Sequence, residues 1–343
     1  MVVNVLIASP LEPELVERLR AIDPRLQITY RPELVGAPRY PADHHPPVPR
    51  TPAQAAEWAA LLKDAEVLLD VDTPSTANFP ARVPKLRWIQ ASSSGIGEWV
   101  RRLDIVDSPI VVTNAAGLHS VALAEFVIFA MLYFARRWPE MVADQRAHRW
   151  ERCAIDTLED KTLGIVGLGN VGQMIAKMAQ PFGVRVIGSR RSPPEQSSAE
   201  TNGVSTVYGP DGLRAVLSES DFVVLIVPHT AETVGMLGKA ELASMRPGAV
   251  LINIARGSVV DEPAMIEALR SGHLGGAALD VVASEPLTPD SPLWDMPNVI
   301  ITPHSMSTAT NENARLTDLF VDNLRRYVTG EPLRNVIDKV RGY

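Results

Sequence analysis

Three polar side chains late in the chain each follow an apolar run closely. Arg256 lies in Asn253-Ile254-Ala255-Arg256-Gly257, Glu285 in Leu279-Asp280-Val281-Val282-Ala283-Ser284-Glu285-Pro286, and His304 in Ile301-Thr302-Pro303-His304-Ser305. Each run reads as a buried strand, and open α/β sheets bind ligands at the carboxyl ends of their strands. The three groups can therefore converge on one crevice. A guanidinium, a carboxylate and an imidazole suit carbonyl reduction. When a hydride attacks a ketone carbon, negative charge develops on the oxygen and a positioned acid must supply a proton. His304 is the candidate acid–base, because an unperturbed imidazole titrates near neutrality. Glu285 is its candidate partner, since an adjacent carboxylate favours imidazolium. Arg256 is the candidate anchor, holding a substrate carboxylate by paired hydrogen bonds and helping to polarise the carbonyl. The competing readings are structural: a Pro-His pair often ends a strand, and a Glu before Pro286 can cap a turn.

The hydride donor has its own signature. Gly167-Leu168-Gly169-Asn170-Val171-Gly172 follows the apolar run 162–166 and precedes the helix-like run 173–179. A G-x-G-x-x-G between strand and helix marks a dinucleotide site. The first glycine permits the tight turn, the second lets the backbone approach a pyrophosphate, and the third lets helix and strand pack closely. The phosphates then meet the helix N-terminus, whose free N–H groups and dipole favour anions. An acidic residue ends the second strand of an NAD-binding sheet and binds the ribose. Here that place holds Ser189, Arg190 and Arg191. A guanidinium fork suits a ribose phosphate, so NADP(H) is favoured and NAD(H) remains possible. The competing reading makes both arginines solvated loop charges. Val227, Pro228 and Ala255, which follow later strand candidates, are expected to flank the nucleotide.

The elements that must position these groups alternate along the chain. Strand candidates lie at 2–8, 27–30, 67–70, 87–90 and 110–113, with helix candidates at 12–22 and 53–63. After a long helix at 120–137, strand candidates recur at 162–166, 184–188, 222–227, 249–254, 277–281 and 299–302, about six parallel strands. The predicted fold class is α/β: two Rossmann-like or flavodoxin-like domains with doubly wound parallel sheets, and the active site in the cleft between them. A helix at 309–329 is expected to return to the first domain. Residues 31–52 carry seven prolines, which block helix and central strand and predict a long irregular surface loop. His44 and His45 lie there without an obvious ligand set, and His119 is placed to cap the long helix.

Composition narrows the function. The net charge of −7 without a basic block argues against nucleic acid as the main partner. The single Cys153 excludes an internal disulfide and a multi-cysteine metal site, and no metal is expected. The apolar start lacks the basic region of a signal peptide, and the longest apolar stretch, 121–135, is short for a membrane span. A cytoplasmic location is expected.

These motifs, in this order, resemble the D-isomer-specific 2-hydroxyacid dehydrogenases of the glyoxylate/hydroxypyruvate reductase type. Val121-Ala122-Leu123-Ala124-Glu125-Phe126 also resembles that family's V-A-E helix. The resemblance implies a discontinuous substrate-binding domain, 1–114 and 305–343, around a dinucleotide-binding domain, 115–304. It implies reversible reduction of a small 2-oxo acid to the D-2-hydroxy acid, with Arg256, Glu285 and His304 in the roles already given. It also implies substrate contacts from the main chain of Ser94 and Gly95, cofactor contacts from Thr233 and Asp280, and a homodimer packed through the long-helix region. Glyoxylate, hydroxypyruvate or a bulkier 2-oxo acid is compatible. The chain departs from the family at Gly95-Ile96-Gly97, where an acidic residue is usual, and at Ser305-Met306-Ser307, where small residues are usual. Two rivals remain: phosphoglycerate oxidation within the family, and a nucleotide-sensing corepressor or scaffold on the same fold.

Overall fold

The computed structural model describes residues 2–72, 76–191 and 203–342. The chain divides into two compact units, Met1–His119 with Thr308–Tyr343, and Ser120–Ser307. The first unit contains β1 (Val3–Ile7), β2 (Leu26–Tyr30), β3 (Val67–Leu69), β4 (Trp88–Gln90) and β5 (Val111–Thr113), in the order β2-β1-β3-β4-β5. All neighbouring strands are parallel. The central strands are continuous apolar runs, as a sheet covered on both faces requires. The helix Glu312–Thr329 packs here: Leu316, Phe320 and Leu324 join a core with Val5, Ile7, Leu19 and Trp88. The Trp88 ring lies 5.4 Å from those of Phe320 and Tyr327.

The proline-rich stretch is not the simple surface loop its composition predicts. Pro32–Val35 forms a helical turn whose Leu34 and Val35 are fully buried. Arg50 donates to the Leu34 carbonyl and, at 2.6 Å, to Asp72, which also accepts the Trp58 indole N–H at 2.9 Å. The Arg50 guanidinium covers the Trp58 ring at 4.3 Å. Thr51 and Gln54 form a capping box that starts the helix Pro52–Asp64. Proline keeps most of the segment irregular, but the buried Arg50–Asp72 ion pair holds it down.

Among the described residues the second unit contains seven parallel strands where the sequence suggests about six. They are β6 (Thr162–Val166), β7 (Arg185–Ser189), β8 (Val204–Tyr208), β9 (Phe222–Leu225), β10 (Ala249–Asn253), β11 (Leu274–Leu279) and β12 (Val299–Ile301), ordered β12-β11-β10-β9-β6-β7-β8. The additional strand is β8, a half-exposed edge strand that offers no continuous apolar run. Strand order reverses beside β6, so the glycine loop sits at the switch point where such sheets bind ligands. The helix Ser120–Ala135 packs into this unit's core, with Leu123, Val127 and Met131 buried. No helix among the described residues is long and apolar enough to cross a membrane.

Candidate active site

The glycine loop shows three different steric demands. Gly167 has φ +113°, and a Cβ there would stand 2.4 Å from the Ile226 carbonyl oxygen. A Cβ on Gly172 would stand 2.5 Å from the Gly167 carbonyl oxygen, so this glycine is needed for close packing. A Cβ on Gly169 would meet nothing within 4 Å. Gly169 is the N-cap of the helix Asn170–Ala179, whose first-turn N–H groups have no intrahelical acceptor. The open space at Gly169 is therefore a cradle that a side chain would fill, as a pyrophosphate site requires. The N–H groups of Gly167 and buried Leu168 both donate to the Ser189 carbonyl at 3.0 Å, tying the loop to the end of β7. Asn170 is exposed and Val171 half-buried.

Ser189 is buried, and Arg190 and Arg191 are exposed. The Arg190 N–H donates to the Tyr208 carbonyl, and Arg191 pairs with Glu232 at 2.5 Å. Val227 and Pro228 follow β9, the first half-buried and the second exposed, while Ala255 is buried after β10. Thr233 is also buried, but its hydroxyl donates to the Pro228 carbonyl at 2.7 Å and accepts from the Thr230 N–H. It locks the turn that follows β9.

Arg256, Glu285 and His304 follow the adjacent strands β10, β11 and β12. Arg256 is half-buried, and Asn253 braces its loop. The Asn253 amide donates to the Arg256 carbonyl at 3.1 Å and accepts the Ala255 N–H. A Cβ on Gly257 would fall 1.9 Å from the Val282 carbonyl, so the Arg256 and Glu285 loops touch through backbone. His304 Nδ1 lies 2.8 Å from Glu285 Oε2. An ionised carboxylate only accepts, so Nδ1 carries a proton and Nε2 is left for chemistry. Both side chains are about two-fifths exposed, at 39% and 38%, which leaves the pair open to a reactant.

His304 has φ +52°, a left-handed conformation uncommon for a side-chain-bearing residue. Asp280 maintains it. The Asp280 carbonyl accepts the His304 N–H at 2.9 Å. Its buried carboxylate accepts from the Thr302 hydroxyl at 2.7 Å, Ser305 N–H at 2.9 Å and Met306 N–H at 3.2 Å. The family resemblance marks Asp280 as a cofactor contact, and this geometry makes it a clamp on the His304 loop. Asn253 and Glu262, which accepts the Ala283 N–H at 2.9 Å, are supporting residues that the sequence left without roles. Met306 packs against the apolar core.

In the first unit, Ser94 and Gly95 follow β4. The Asn114 amide donates to the Ser94 carbonyl at 2.9 Å. His119 does not cap the long helix by its side chain as expected; its ring contacts Ser94 and Glu312. Trp150 is 95% exposed. Among the described residues, no group of three or more His, Cys, Asp or Glu side chains is placed to hold a metal ion.

Comparison with known proteins places these features in a family context. Residues 128–305 match the family described as D-isomer specific 2-hydroxyacid dehydrogenase, NAD binding domain. A D-3-phosphoglycerate dehydrogenase of Methanocaldococcus jannaschii is 33% identical over 82% of this chain, and the match spans about half, 53%, of that protein's length. A glyoxylate reductase of Korarchaeum cryptofilum is 32% identical over 81% of this chain and 84% of its own. Among solved structures, an NADPH-dependent glyoxylate/hydroxypyruvate reductase of Sinorhizobium meliloti, in complex with NADP and sulfate, aligns with a TM-score of 0.80 and 28% identity. That alignment covers 99% of this chain and 100% of that one.

Proposed function

The chain belongs to the D-isomer specific 2-hydroxyacid dehydrogenase family, and from that premise we propose that it reduces a small 2-oxo acid to the D-2-hydroxy acid, with NADPH preferred to NADH. The observation that carries this reading is the His304–Glu285 pair at 2.8 Å, set on the loops after β12 and β11, with Arg256 on the loop after β10, the next strand along. The dinucleotide, when bound at the Gly167–Gly172 loop, supplies the hydride that reaches the ketone carbon. Arg256 holds the substrate carboxylate and polarises the carbonyl. His304 Nε2–H gives its proton to the carbonyl oxygen as charge develops there, which completes the alcohol. Glu285 accepts from Nδ1–H throughout, fixing the ring and stabilising its charged form before transfer. In the reverse direction His304 Nε2 takes the hydroxyl proton back. Ser94 and Gly95 are proposed as further substrate contacts.

The NADPH preference rests on the end of β7. Ser189 stands where an NAD site would place a carboxylate, and the exposed Arg190 follows it at the strand end. The Sinorhizobium meliloti protein's complex with NADP supports the same choice. We further propose a homodimer built on the apolar side chains that this chain leaves exposed around the long helix: Phe129, Trp138, Trp150 and Ile155.

Purified protein is assayed with NADPH and NADH against glyoxylate, hydroxypyruvate, longer 2-oxo acids and, in the oxidative direction, 3-phosphoglycerate. Loss of nicotinamide absorbance with a 2-oxo acid, abolished in His304→Ala, supports the reading. Turnover of 3-phosphoglycerate alone moves the chain to the rival activity. Tight nucleotide binding without turnover overturns the enzyme reading in favour of a sensor. A higher kcat/KM with NADH than with NADPH refutes the cofactor choice.

A further inference from the structure

A chain of polar contacts in the first unit ends on the proposed substrate loop. Ser94 Oγ lies 3.3 Å from His119 Nδ1, and His119 Nε2 lies 3.2 Å from Glu312 Oε1. His44 Nε2 stands 3.4 Å from the same oxygen, while His44 Nδ1 meets Ser9 Oγ at 2.9 Å. The five residues come from five separate segments: the end of β1, the proline-rich stretch, the loop after β4, the stretch after β5, and the first turn of the last helix.

This arrangement is costly as a stability device. The side chains of Glu312, His44 and His119 are 6%, 8% and 11% exposed, and Glu312 Oε2 is buried with no hydrogen-bond partner. Burying charge and leaving polar atoms unpaired lowers stability relative to an apolar core of the same volume. The network is not sealed inside the core, however. It runs outward to Ser94, which is half-buried, and to Gly95 beside it, which is exposed. A serine hydroxyl is otherwise a free rotor. Here it is fixed: the Glu312 carboxylate can only accept, so His119 Nε2 donates to it, and the relay needs Nδ1 protonated as well, donating to Ser94 Oγ so that the hydroxyl proton is left for an acceptor oxygen. The loop is thus gripped twice, by Asn114 at the Ser94 carbonyl and by His119 at the hydroxyl.

We propose that Ser94, His119 and Glu312 form a positioning relay that holds the Ser94 hydroxyl for an oxygen of the 2-oxo acid, making His119 and Glu312 determinants of substrate affinity. This rests on the reading of Ser94 and Gly95 as substrate contacts. His44, which meets Ser9 Oγ through Nδ1, stands beside the same Glu312 oxygen without a hydrogen bond to it.

The test uses the full chain with NADPH and glyoxylate, or whichever acid of the panel turns over fastest. KM and kcat are measured for Ser94→Ala, His119→Gln, Glu312→Gln and the double variant Ser94→Ala/His119→Gln. Each single variant is expected to raise KM about tenfold, the effect of losing one hydrogen bond to a charged group, with kcat within about threefold. The double variant is expected to be no worse than Ser94→Ala, because groups acting through one contact are not additive. A merely structural role would instead multiply the two defects. Values of KM for His119→Gln and Glu312→Gln within about twofold of wild type, or multiplied effects in the double variant, overturn the relay. If Glu312→Gln does not fold, His119→Gln carries the same test. Wild type that turns over no 2-oxo acid overturns the proposed function and the relay with it. Wild type that turns over normally, with KM unmoved in Ser94→Ala, overturns the relay alone.

Discussion

Gly169→Ala separates the nucleotide cradle from the architecture that supports it. The backbone at this position, φ −90° and ψ −159°, is open to alanine. The added methyl meets no protein atom within 4 Å, so the fold has no steric reason to change. An alanine N-cap in place of glycine costs at most about 1 kcal/mol, or about 2–4 °C in melting temperature for a large domain. The methyl does occupy the space through which a pyrophosphate must reach the first-turn N–H groups. Displacing the phosphate by roughly the size of a methyl removes one or two charge-assisted hydrogen bonds, about 2–3 kcal/mol in all. That corresponds to roughly 30- to 150-fold in the dissociation constant.

The assay is a fluorescence titration of NADPH beside a thermal melt, with Gly172→Ala as the contrast. At Gly172 the new Cβ lies 2.5 Å from the Gly167 carbonyl oxygen and 3.2 Å from the Ile165 side chain. Relieving that overlap moves the helix against β6, at a cost of about 1–3 kcal/mol, so stability and nucleotide affinity fall together. Gly169→Ala binding NADPH within about threefold of wild type, or melting as early as Gly172→Ala, would refute the assignment of the cradle.

His304→Ala is expected to lower kcat by about 10²- to 10⁴-fold, the usual weight of a general acid, with NADPH affinity retained by titration. Asp280→Asn keeps one acceptor oxygen but loses the carboxylate charge those donors meet and turns an amide N–H₂ toward the Met306 N–H, destabilising the His304 loop by about 1–3 kcal/mol. Initial rates and melts should show a lower kcat and a lower melting temperature. Burial pushes the Glu312 carboxyl up, but the hydrogen bond from His119 and the neighbouring His44 ring outweigh it and bring it from the ordinary 4.5 down to about 2. A depressed carboxylate gives stability that is complete above pH 4.5 and is lost as pH falls toward 2. Allowing for screening, that is on the order of 2–3 kcal/mol. Denaturant midpoints between those pH values should fall in wild type and flatten in Glu312→Gln.

Much of the second unit is legible in the sequence because its elements are locally encoded. A strand buried on both faces must be a continuous apolar run, and 162–166, 222–227 and 249–254 stand out for that reason. The glycine loop is legible because each glycine answers a different steric demand. The edge strand β8 is hidden because a half-exposed strand does not need a fully apolar pattern. The strand ends showed where Arg256, Glu285 and His304 stand, since a parallel sheet places successive loops along one edge.

The conformation of those loops was not legible, and Asp280 shows why. A sequence states which residue type follows a strand, but not which donors its side chain will collect. Asp280 resembles a cofactor contact by position. In the fold its carboxylate gathers the Thr302 hydroxyl and the N–H groups of Ser305 and Met306, and its carbonyl takes the His304 N–H. Those bonds hold His304 at φ +52°, where an isolated L-residue is disfavoured. Reactive geometry at His304 thus depends on an acceptor 24 positions earlier in the chain. The same holds more strongly for Glu312, whose two imidazole partners lie 193 and 268 positions away. No periodicity links such residues. They meet because parallel strands and a returning helix bring their ends together, so the first unit's polar network follows from topology alone.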